Sequence, residues 1–275
     1  MLRPLRFGRY DFPGGRTLVM GVLNVTPDSF SDGGRYFDAR KAIEQARAMV
    51  AEGADILDIG GESTRPGAEP VPADEELRRV LPVIEAVVSD LDVPVSIDTV
   101  KPEVAERCLS AGAVILNDVQ GLRDTAMIDA AARHGASVVI MHMKGTPRTM
   151  NQEAVYTDLL AEVRGFLVAQ AGKARAAGIE TVVIDPGLGF AKNTEHNLAI
   201  LNHVDTFTST GYPVLIGPSR KRFIGELTGK DADARVPGTL AAVTAAVLSG
   251  AAIVRVHDVA AGKQAVQVAE GIRNA

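Results

Sequence analysis

Residues 182–192 read VVIDPGLGFAK, an apolar run that ends in an acid and is followed directly by a turn. The Val-Val-Ile run is typical of a buried strand, and Pro186-Gly187 predicts that the strand stops there. The strand would therefore carry Asp185 from the interior to its own end. Because an unpaired buried charge is costly, Asp185 must have a partner or a function.

The same arrangement, an apolar run that ends in a polar residue and precedes an amphipathic segment, occurs eight times in the 275 residues. The predicted strands span 19–24, 54–61, 93–98, 113–118, 136–142, 181–185, 212–217 and 251–258. The predicted helices lie near 38–52, 73–89, 101–112, 124–135, 153–177, 193–203, 220–227, 238–249 and 260–273. Alternating strands and helices predict parallel pairing with right-handed crossovers.

Eight such units predict an α/β fold, a (β/α)8 TIM barrel, with an open doubly wound sheet as the alternative. Residues 1–17, which include Pro-Gly-Gly at 13–15, predict a short N-terminal β-hairpin that closes the bottom of the barrel. No linker or low-complexity tract interrupts the pattern, so we expect one domain over residues 1–275.

The composition excludes several classes of function. The net charge is −5 without a basic stripe, which argues against nucleic acid as a partner. No apolar run approaches the ~20 residues of a membrane helix, and the N-terminus lacks the apolar stretch of a signal peptide. The single cysteine excludes an internal disulfide. We therefore expect a cytoplasmic protein that does not associate with membranes.

Polar side chains stand where the predicted strands end, and the C-terminal ends of barrel strands form the active site of this architecture. Asp98, Asn117 and Asp185 each follow an apolar run directly, so they should face one opening. Carboxylates pair with N–C–N donor edges, and a carboxamide both donates and accepts. The three side chains favour a polar heterocycle with an amino group, although a metal site is the rival use of the two acids.

Basic residues follow the last two strands. The segment GPSRKRFIG (217–225) opens a helix, and RVHD (255–258) ends the final strand with Arg255 and His257 on one face. Loops in these positions form the anion site of many barrels. Lys221 and Arg255 are predicted to be functional. At least one of Arg220 and Arg222 is expected to be solvated at the helix start.

Two long segments, 24–38 and 61–72, follow the first two strands. Long loops on this face of a barrel are usually functional. Their glycine and proline content favours a lid with stiff parts over a plain surface connection.

Eight motifs in this order resemble the dihydropteroate synthase family. They are LNVTPDSFSDGG, GGESTRPGA, SIDTVKPEVA, NDVQGL, MHMKGTPRTM, DPGLGFAK, GPSRKRFIG and RVHD. The resemblance runs from about residue 18 to 270. It implies a TIM-barrel transferase of folate biosynthesis that joins (7,8-dihydropterin-6-yl)methyl diphosphate to 4-aminobenzoate and releases pyrophosphate. It also implies sulfonamide inhibition, a Mg2+ cofactor and a homodimer formed through later helices, around 238–273.

The resemblance implies roles for individual residues. Asp98, Asn117 and Asp185 would hold the pterin, and Asn24 would bind Mg2+. The diphosphate would be bound by Arg255, His257 and Arg65. Lys221 would contact the pterin near the amine. Residues implied to border the aminobenzoate or the pterin ring are Thr64, Pro66, Phe190, Ser219 and Met141, the last with an equal claim to being an ordinary core residue. The residues expected to be catalytic are Asp98, Asp185, Lys221, Arg255 and His257.

The implied mechanism is dissociative. The diphosphate leaves first, and the two aspartates stabilise the pterin cation that then takes up the amine. Three residues depart from the family pattern: Gln120 replaces Ser, Pro218 replaces a residue that is often Thr, Met or Ala, and Ala191 replaces the Gly of GFGK, a mild change. Because proline fixes φ and removes a backbone donor, Pro218 is expected to alter sulfonamide affinity.

Three other functions compete with this interpretation. A pterin-binding methyltransferase shares the Asp-Asn-Asp set but has no need of the SRKR and RVHD segments. A non-catalytic pterin-binding protein would be expected to have lost charged residues that are intact here. A Schiff-base aldolase using Lys221 would need that lysine inside a strand in a dry pocket.

Overall fold

The computed structural model describes residues 2–26, 35–63, 67–146, 148–150 and 152–275, with the backbone alone for 35–38. Its eight-stranded sheet consists of β3 (Leu18–Asn24), β4 (Ile56–Gly60), β5 (Val95–Asp98), β6 (Ile115–Asp118), β7 (Ser137–Met141), β8 (Val182–Asp185), β9 (Leu215–Ile216) and β10 (Ile253–Val256). Every pairing between these strands is parallel. In the described part of the chain, no helix is long and apolar enough to cross a membrane.

The helices surround this sheet. They are α1 (Arg35–Ala51), α2 (Ala73–Asp90), α3 (Pro102–Ser110), α4 (Thr125–Arg133), α5 (Leu159–Ala176), α6 (Thr194–Asn202), α7 (Asp205–Thr208), α8 (Arg222–Thr228), α9 (Val236–Leu248) and α10 (Val259–Asn274), with a 3-10 turn at Ala232–Ala234. A large apolar cluster fills the space between strands and helices, as expected for strands that are covered on both faces.

The sheet closes into a barrel. β10 pairs with both β3 and β9, and an Ile184–Val214 bridge joins β8 to the start of β9. At this seam the Ile184 N–H donates to the Pro213 carbonyl at 2.9 Å. The closure confirms the (β/α)8 barrel and excludes the open doubly wound sheet.

The predicted N-terminal hairpin is present as β1 (Leu5–Phe7) and β2 (Tyr10–Phe12). Its turn lies at residues 8–9, upstream of the Pro-Gly-Gly segment. Phe7 is fully buried against inward-facing apolar residues of the strands, among them Ile115 and Val183. The hairpin therefore seals the N-terminal end of the barrel and leaves the opposite end for chemistry.

Most predicted strands are a few residues shorter in the structure, and two shortened elements have a clear local cause. The helix expected over 153–177 begins at Leu159, because the Asp158 side chain caps it by accepting from the Ala161 N–H. The strand expected over 212–217 is reduced to two residues. Pro213 and Pro218 flank it, and proline has no N–H to give to a ladder. Helix α7 and the 3-10 turn were not predicted.

Strand register decides which side chains reach the open end. The inner apolar cluster contains Ile56, Ile115, Val183 and Ile253. Side chains two positions further along a strand share the same face. The next inward positions in these strands are occupied by polar or charged residues, namely Asp58, Asn117, Asp185 and Arg255. In these four strands the barrel interior therefore changes from an apolar plug to a layer of polar and charged residues within one step.

Candidate active site

Asp98, Asn117 and Asp185 lie at the C-terminal ends of β5, β6 and β8, as the sequence predicted. Asp98 pairs in register with Asn117 on the neighbouring strand, and Asp185 pairs with Met141. Asn117 and Asp185 are buried. The three polar side chains thus surround one opening, here called the mouth.

Arg255 lies among these carboxylates. Its Nε donates to Asp58 Oδ2 at 2.6 Å, and its Nη2 donates to Asp98 Oδ2 at 2.7 Å. Asn117 Nδ2 donates to the same Asp58 oxygen at 3.1 Å. The sequence analysis assigned Asp98 to a heterocycle site and Arg255 to an anion site. The structure instead joins Arg255 directly to Asp58 and Asp98, because only β3 and β4 lie between β10 and β5.

Asp58 is a site residue that the sequence analysis missed. It stands in the middle of β4 and is fully buried, whereas the search of the sequence considered only residues at strand ends. The available signal was a charge inside the apolar run ADILDIGG. Asp58 Oδ1 has no hydrogen-bond partner among the described residues. The carboxylate is therefore held through one oxygen by Arg255 and Asn117.

Burial raises the pKa of both mouth aspartates. The pKa of Asp98 rises to about 7, because desolvation outweighs the attraction of Arg255. Burial also raises the pKa of Asp185, opposed by the Gly187 N–H, which donates to Asp185 Oδ1 at 2.7 Å, and by Lys221. A cationic or donor-rich ligand would favour the ionised form of both acids.

Lys221 lies between the aspartates and an aromatic ring. Its Nζ is 4.2 Å from the centroid of Phe190, and burial lowers its pKa to about 8 with Arg255 as a second cause. Phe190 is buried in a cluster with Met141 and Ala191. Met141 therefore belongs both to the apolar lining of the mouth and to this core.

Ser219 fixes the orientation of His257. The Ser219 hydroxyl accepts from the His257 backbone N–H at 3.2 Å and lies 2.9 Å from His257 Nδ1. Burial lowers the pKa of His257 to about 4, so the ring is neutral near pH 7. The hydroxyl can then donate to Nδ1, which leaves the proton on Nε2 as a donor. The sequence analysis had given Ser219 only a place beside the aminobenzoate.

The two arginines of the SRKR segment differ in their surroundings. Arg220 makes a two-pronged pair with Asp258, at 3.0 Å and 2.6 Å, and adopts a left-handed φ of 56°. Arg222 is largely exposed and pairs with Glu226 one helical turn away. The expectation of a solvated helix start is therefore met by Arg222, while Arg220 links the β9 loop to the end of β10.

Gly187 provides a backbone donor in a place where no side chain fits. Its φ is +72°, and a Cβ there would lie 2.1 Å from the His142 carbonyl oxygen. We expect Gly187→Ala to lower the free energy of unfolding by more than about 3 kcal/mol, since a left-handed non-glycine residue already costs about 1–2 kcal/mol and the clash is with backbone. Urea unfolding at pH 7 measures this.

Gly211→Ala is the matched control. Gly211 has a φ of +84°, and nothing lies within 4 Å of a Cβ built on it. The control should therefore lose only about 1–2 kcal/mol, the cost of the left-handed backbone. Equal losses in the two variants would show that the contact with His142 does not matter.

Some predicted site residues cannot be assessed. Thr64, Arg65 and Pro66 lie outside the described residues, as does 27–34 within the predicted lid. The described ends of the second loop are tied together, since Glu62 accepts from Lys101 Nζ and from the Val71 N–H.

A separate cavity of about 910 Å³ lies at the hairpin end of the barrel, lined by residues such as Leu2, Tyr212 and Arg273. No residue of the mouth lines it. This cavity therefore lies apart from Asp98, Asn117 and Asp185.

Comparisons with known proteins agree with this geometry. The family model described as pterin binding enzyme matches residues 20–257. A dihydropteroate synthase from Synechocystis is 47% identical over 274 residues, covering 98% of this chain and 95% of the relative.

Two solved structures share the fold over nearly the whole chain. The Yersinia pestis dihydropteroate synthase with a sulfonamide drug complex has a TM-score of 0.93 at 40% identity, covering 99% of this chain and 100% of that one. The Xanthomonas albilineans dihydropteroate synthase with 4-aminobenzoic acid has a TM-score of 0.93 at 46% identity and covers both chains fully, at 100% each.

The barrel and its charged mouth are those of a pterin-binding enzyme. Within that class, the chain belongs to the dihydropteroate synthase family.

Proposed function

We propose that this chain condenses (7,8-dihydropterin-6-yl)methyl diphosphate with 4-aminobenzoate to give 7,8-dihydropteroate and pyrophosphate. The observation that carries the proposal is the meeting of Asp98, Asn117 and Asp185 at one mouth beside Lys221 and Arg255. A donor-rich ring fits the acids and the amide, and an anionic leaving group fits the cations. Family membership supports the same reaction.

In the proposed reaction, the bond between the pterin methylene carbon and the diphosphate oxygen breaks first, and its electron pair leaves with the diphosphate. Asp98 and Asp185 stabilise the cation that remains. The amine nitrogen of 4-aminobenzoate then forms the new bond to the methylene carbon and loses its proton afterwards. Because the amine attacks a full cation, no strong general base is required.

The leaving group needs donors. Arg255, and His257 through its Nε2–H, are proposed to hold the diphosphate as charge grows on it. Lys221 is proposed to contact the pterin next to the amine, and Phe190 and Ser219 to border the aminobenzoate. We also propose that Met141 borders the pterin ring and that the loop residues Thr64, Arg65 and Pro66 contact the substrates. One domain over residues 1–275 would carry the whole site.

Mg2+ is part of this proposal, with Asn24 as its protein ligand. Among the described residues, no group of three or more His, Cys, Asp or Glu side chains could hold a metal ion. Mg2+ is commonly bound through only one or two protein side chains together with substrate phosphates. Asn24 ends β3 on the inward face, beside Gly60 of β4, where its amide oxygen suits this role. When bound, the ion would neutralise charge on the diphosphate.

A homodimer and a cytoplasmic location are also proposed. Helix α10 carries Val268 and Ile272, which are 63% and 59% exposed, and α9 ends at the partly exposed Leu248. A second copy would cover this apolar surface. The one cysteine, Cys108, is free and buried, as is usual in a reducing compartment.

The decisive test is pyrophosphate release from the pterin diphosphate with Mg2+, measured with and without 4-aminobenzoate. We expect amine-dependent release, and 7,8-dihydropteroate by mass spectrometry. Binding of the pterin without release under either condition would instead support the methyltransferase or the non-catalytic binding protein.

The pH dependence of kcat/KM for the pterin substrate should be bell-shaped. It should fall below about pH 7, where Asp98 becomes protonated, and above about pH 8, where Lys221 loses its proton. Lys221→Arg should abolish the alkaline limb, because a guanidinium stays charged in this range. A flat profile between about pH 6 and about pH 9 would contradict both assignments.

Pro218 is expected to influence sulfonamide affinity. It is buried next to Ser219, and its carbonyl accepts from the Lys221 N–H at 3.2 Å. Pro218→Ala restores a backbone donor and frees φ, so the inhibition constant for a sulfonamide should change by roughly threefold or more, about 0.6 kcal/mol. Equal inhibition constants for the two proteins would refute this expectation.

A further inference from the structure

Lys192 is a buried lysine to which the proposed reaction gives no role. Its Nζ donates to the Phe190 carbonyl at 2.9 Å, to His142 Nδ1 at 3.1 Å and to the His142 carbonyl at 3.3 Å. These three acceptors match the three donors of an ammonium group. Lys192 therefore joins the segment after β8 to the residue that follows β7.

The backbone and the ring of His142 are themselves held in place by other contacts. Its backbone N–H donates to the Asp185 carbonyl at 2.9 Å, and its ring packs edge-on against Phe166 with centroids 5.2 Å apart. Burial and the neighbouring Lys192 lower the pKa of His142 to about 3. The ring is neutral, so Nδ1 is available to accept from the lysine.

We propose that Lys192 is a positioning residue that holds Phe190 in place for the amine substrate. This inference rests on the proposed function. The segment 187–191, here called the shelf, carries Phe190, whose ring lies under Lys221 Nζ. Lys192 touches neither substrate in this arrangement and acts through the Phe190 backbone.

The two halves of the shelf are anchored differently. The first half is fixed by Asp185 and His142, which lie against Gly187. The second half depends on two different side chains: Lys192 holds the Phe190 carbonyl, and the Tyr156 hydroxyl donates to the Ala191 carbonyl at 2.9 Å. Loss of Lys192 should therefore loosen the amine side and leave the pterin side intact.

Backbone conformation explains why the second half requires anchors. Ala191 has a φ of 49°, in the left-handed region that disfavours residues with a Cβ. Such a conformation persists only when its surroundings hold it. Lys192 and Tyr156 supply that support by binding the carbonyls of the two peptide groups that flank Ala191.

The test compares Lys192→Met with Lys230→Met, a control at an exposed lysine beyond α8. Lys192→Met should raise KM for 4-aminobenzoate about tenfold, since small displacements of positioning groups have large effects. The Kd for the pterin diphosphate, measured by calorimetry without amine, should stay within about twofold of wild type. Lys230→Met should match wild type in both quantities.

If Lys192 had a purely structural role, Lys192→Met would weaken the binding of both substrates together. That outcome would overturn the proposal, as would an unchanged KM for 4-aminobenzoate. If Lys192→Met does not fold, Tyr156→Phe decides, because it removes only the bond to Ala191. It should raise the same KM about threefold, and no change would overturn the proposal. A wild-type chain without amine-dependent pyrophosphate release would refute the proposed function itself, before any variant is compared.

Discussion

Asp185→Asn is expected to reduce kcat/KM for the pterin substrate by about 10²–10³-fold, the usual effect of removing one group that stabilises transition-state charge. The replacement keeps the shape of the side chain, and its amide oxygen can still accept from the Gly187 N–H, which now meets Asp185 Oδ1 at 2.7 Å. The negative charge next to the proposed pterin cation is lost, and the second carboxylate oxygen, an acceptor for pterin N–H groups, becomes an NH2 donor. Pyrophosphate release in the presence of 4-aminobenzoate measures the effect.

Stability should move in the opposite direction. Burial raises the pKa of Asp185 in the folded state, so its ionised form costs folding free energy at pH 7. The free energy of unfolding of Asp185→Asn should therefore equal or exceed that of wild type in urea. If Asp185→Asn is inactive but as stable as wild type, its defect lies in the reaction and not in folding.

A second consequence concerns Lys221. Asp185 raises the pKa of that lysine, so in Asp185→Asn the alkaline limb of the pH profile should move below about pH 8. Asp129→Asn, a change at an exposed acid on α4, should alter neither activity nor the profile. If Asp185→Asn releases pyrophosphate as fast as wild type, the proposed reaction still stands, but Asp185 does not have its proposed role in it.

The position of the polar residues at one end of the barrel could be predicted, because it depends on local sequence patterns. An apolar run followed by an acid and a turn defines a strand end, and parallel strands bring their ends together. Asp98, Asn117 and Asp185 were found in this way. The alternation of strands and helices likewise predicted the barrel, which the closure between β10 and β3 confirms.

Contacts between strands that are distant in sequence were beyond this reasoning. Asp58 and Arg255 are 197 positions apart, and only closure of the barrel makes them neighbours. Lys192 appeared as the last letter of a motif, and nothing in the sequence shows that its ammonium is buried under Phe190. Burial and partner identity depend on three-dimensional packing, so the charges could be predicted but their pairing could not.

Arg255→Met is expected to destabilise the fold by about 3–5 kcal/mol at pH 7, because removing one partner leaves buried charges uncompensated. Asp58 is fully buried and Asp98 nearly so, and both lose their guanidinium donor together. Methionine has a similar volume, so little of the loss would come from a cavity. Urea unfolding of Arg255→Met against Arg222→Met, at an exposed arginine, measures the difference.

The penalty should shrink as the pH falls, and this separates charge from packing. Arg255 lowers the pKa of Asp98, which burial otherwise raises, so without Arg255 that pKa rises above about 7. Between about pH 7 and that higher pKa, Asp98 would hold a proton in the folded variant but has lost it in folded wild type. Under linkage, the variant loses stability relative to wild type as the pH rises through this range. Urea unfolding at about pH 7 should therefore show a smaller difference from wild type than at about pH 9. An equal difference at both values would mean that Arg255 acts by packing, and the paired charged layer beneath the mouth would lose its electrostatic interpretation.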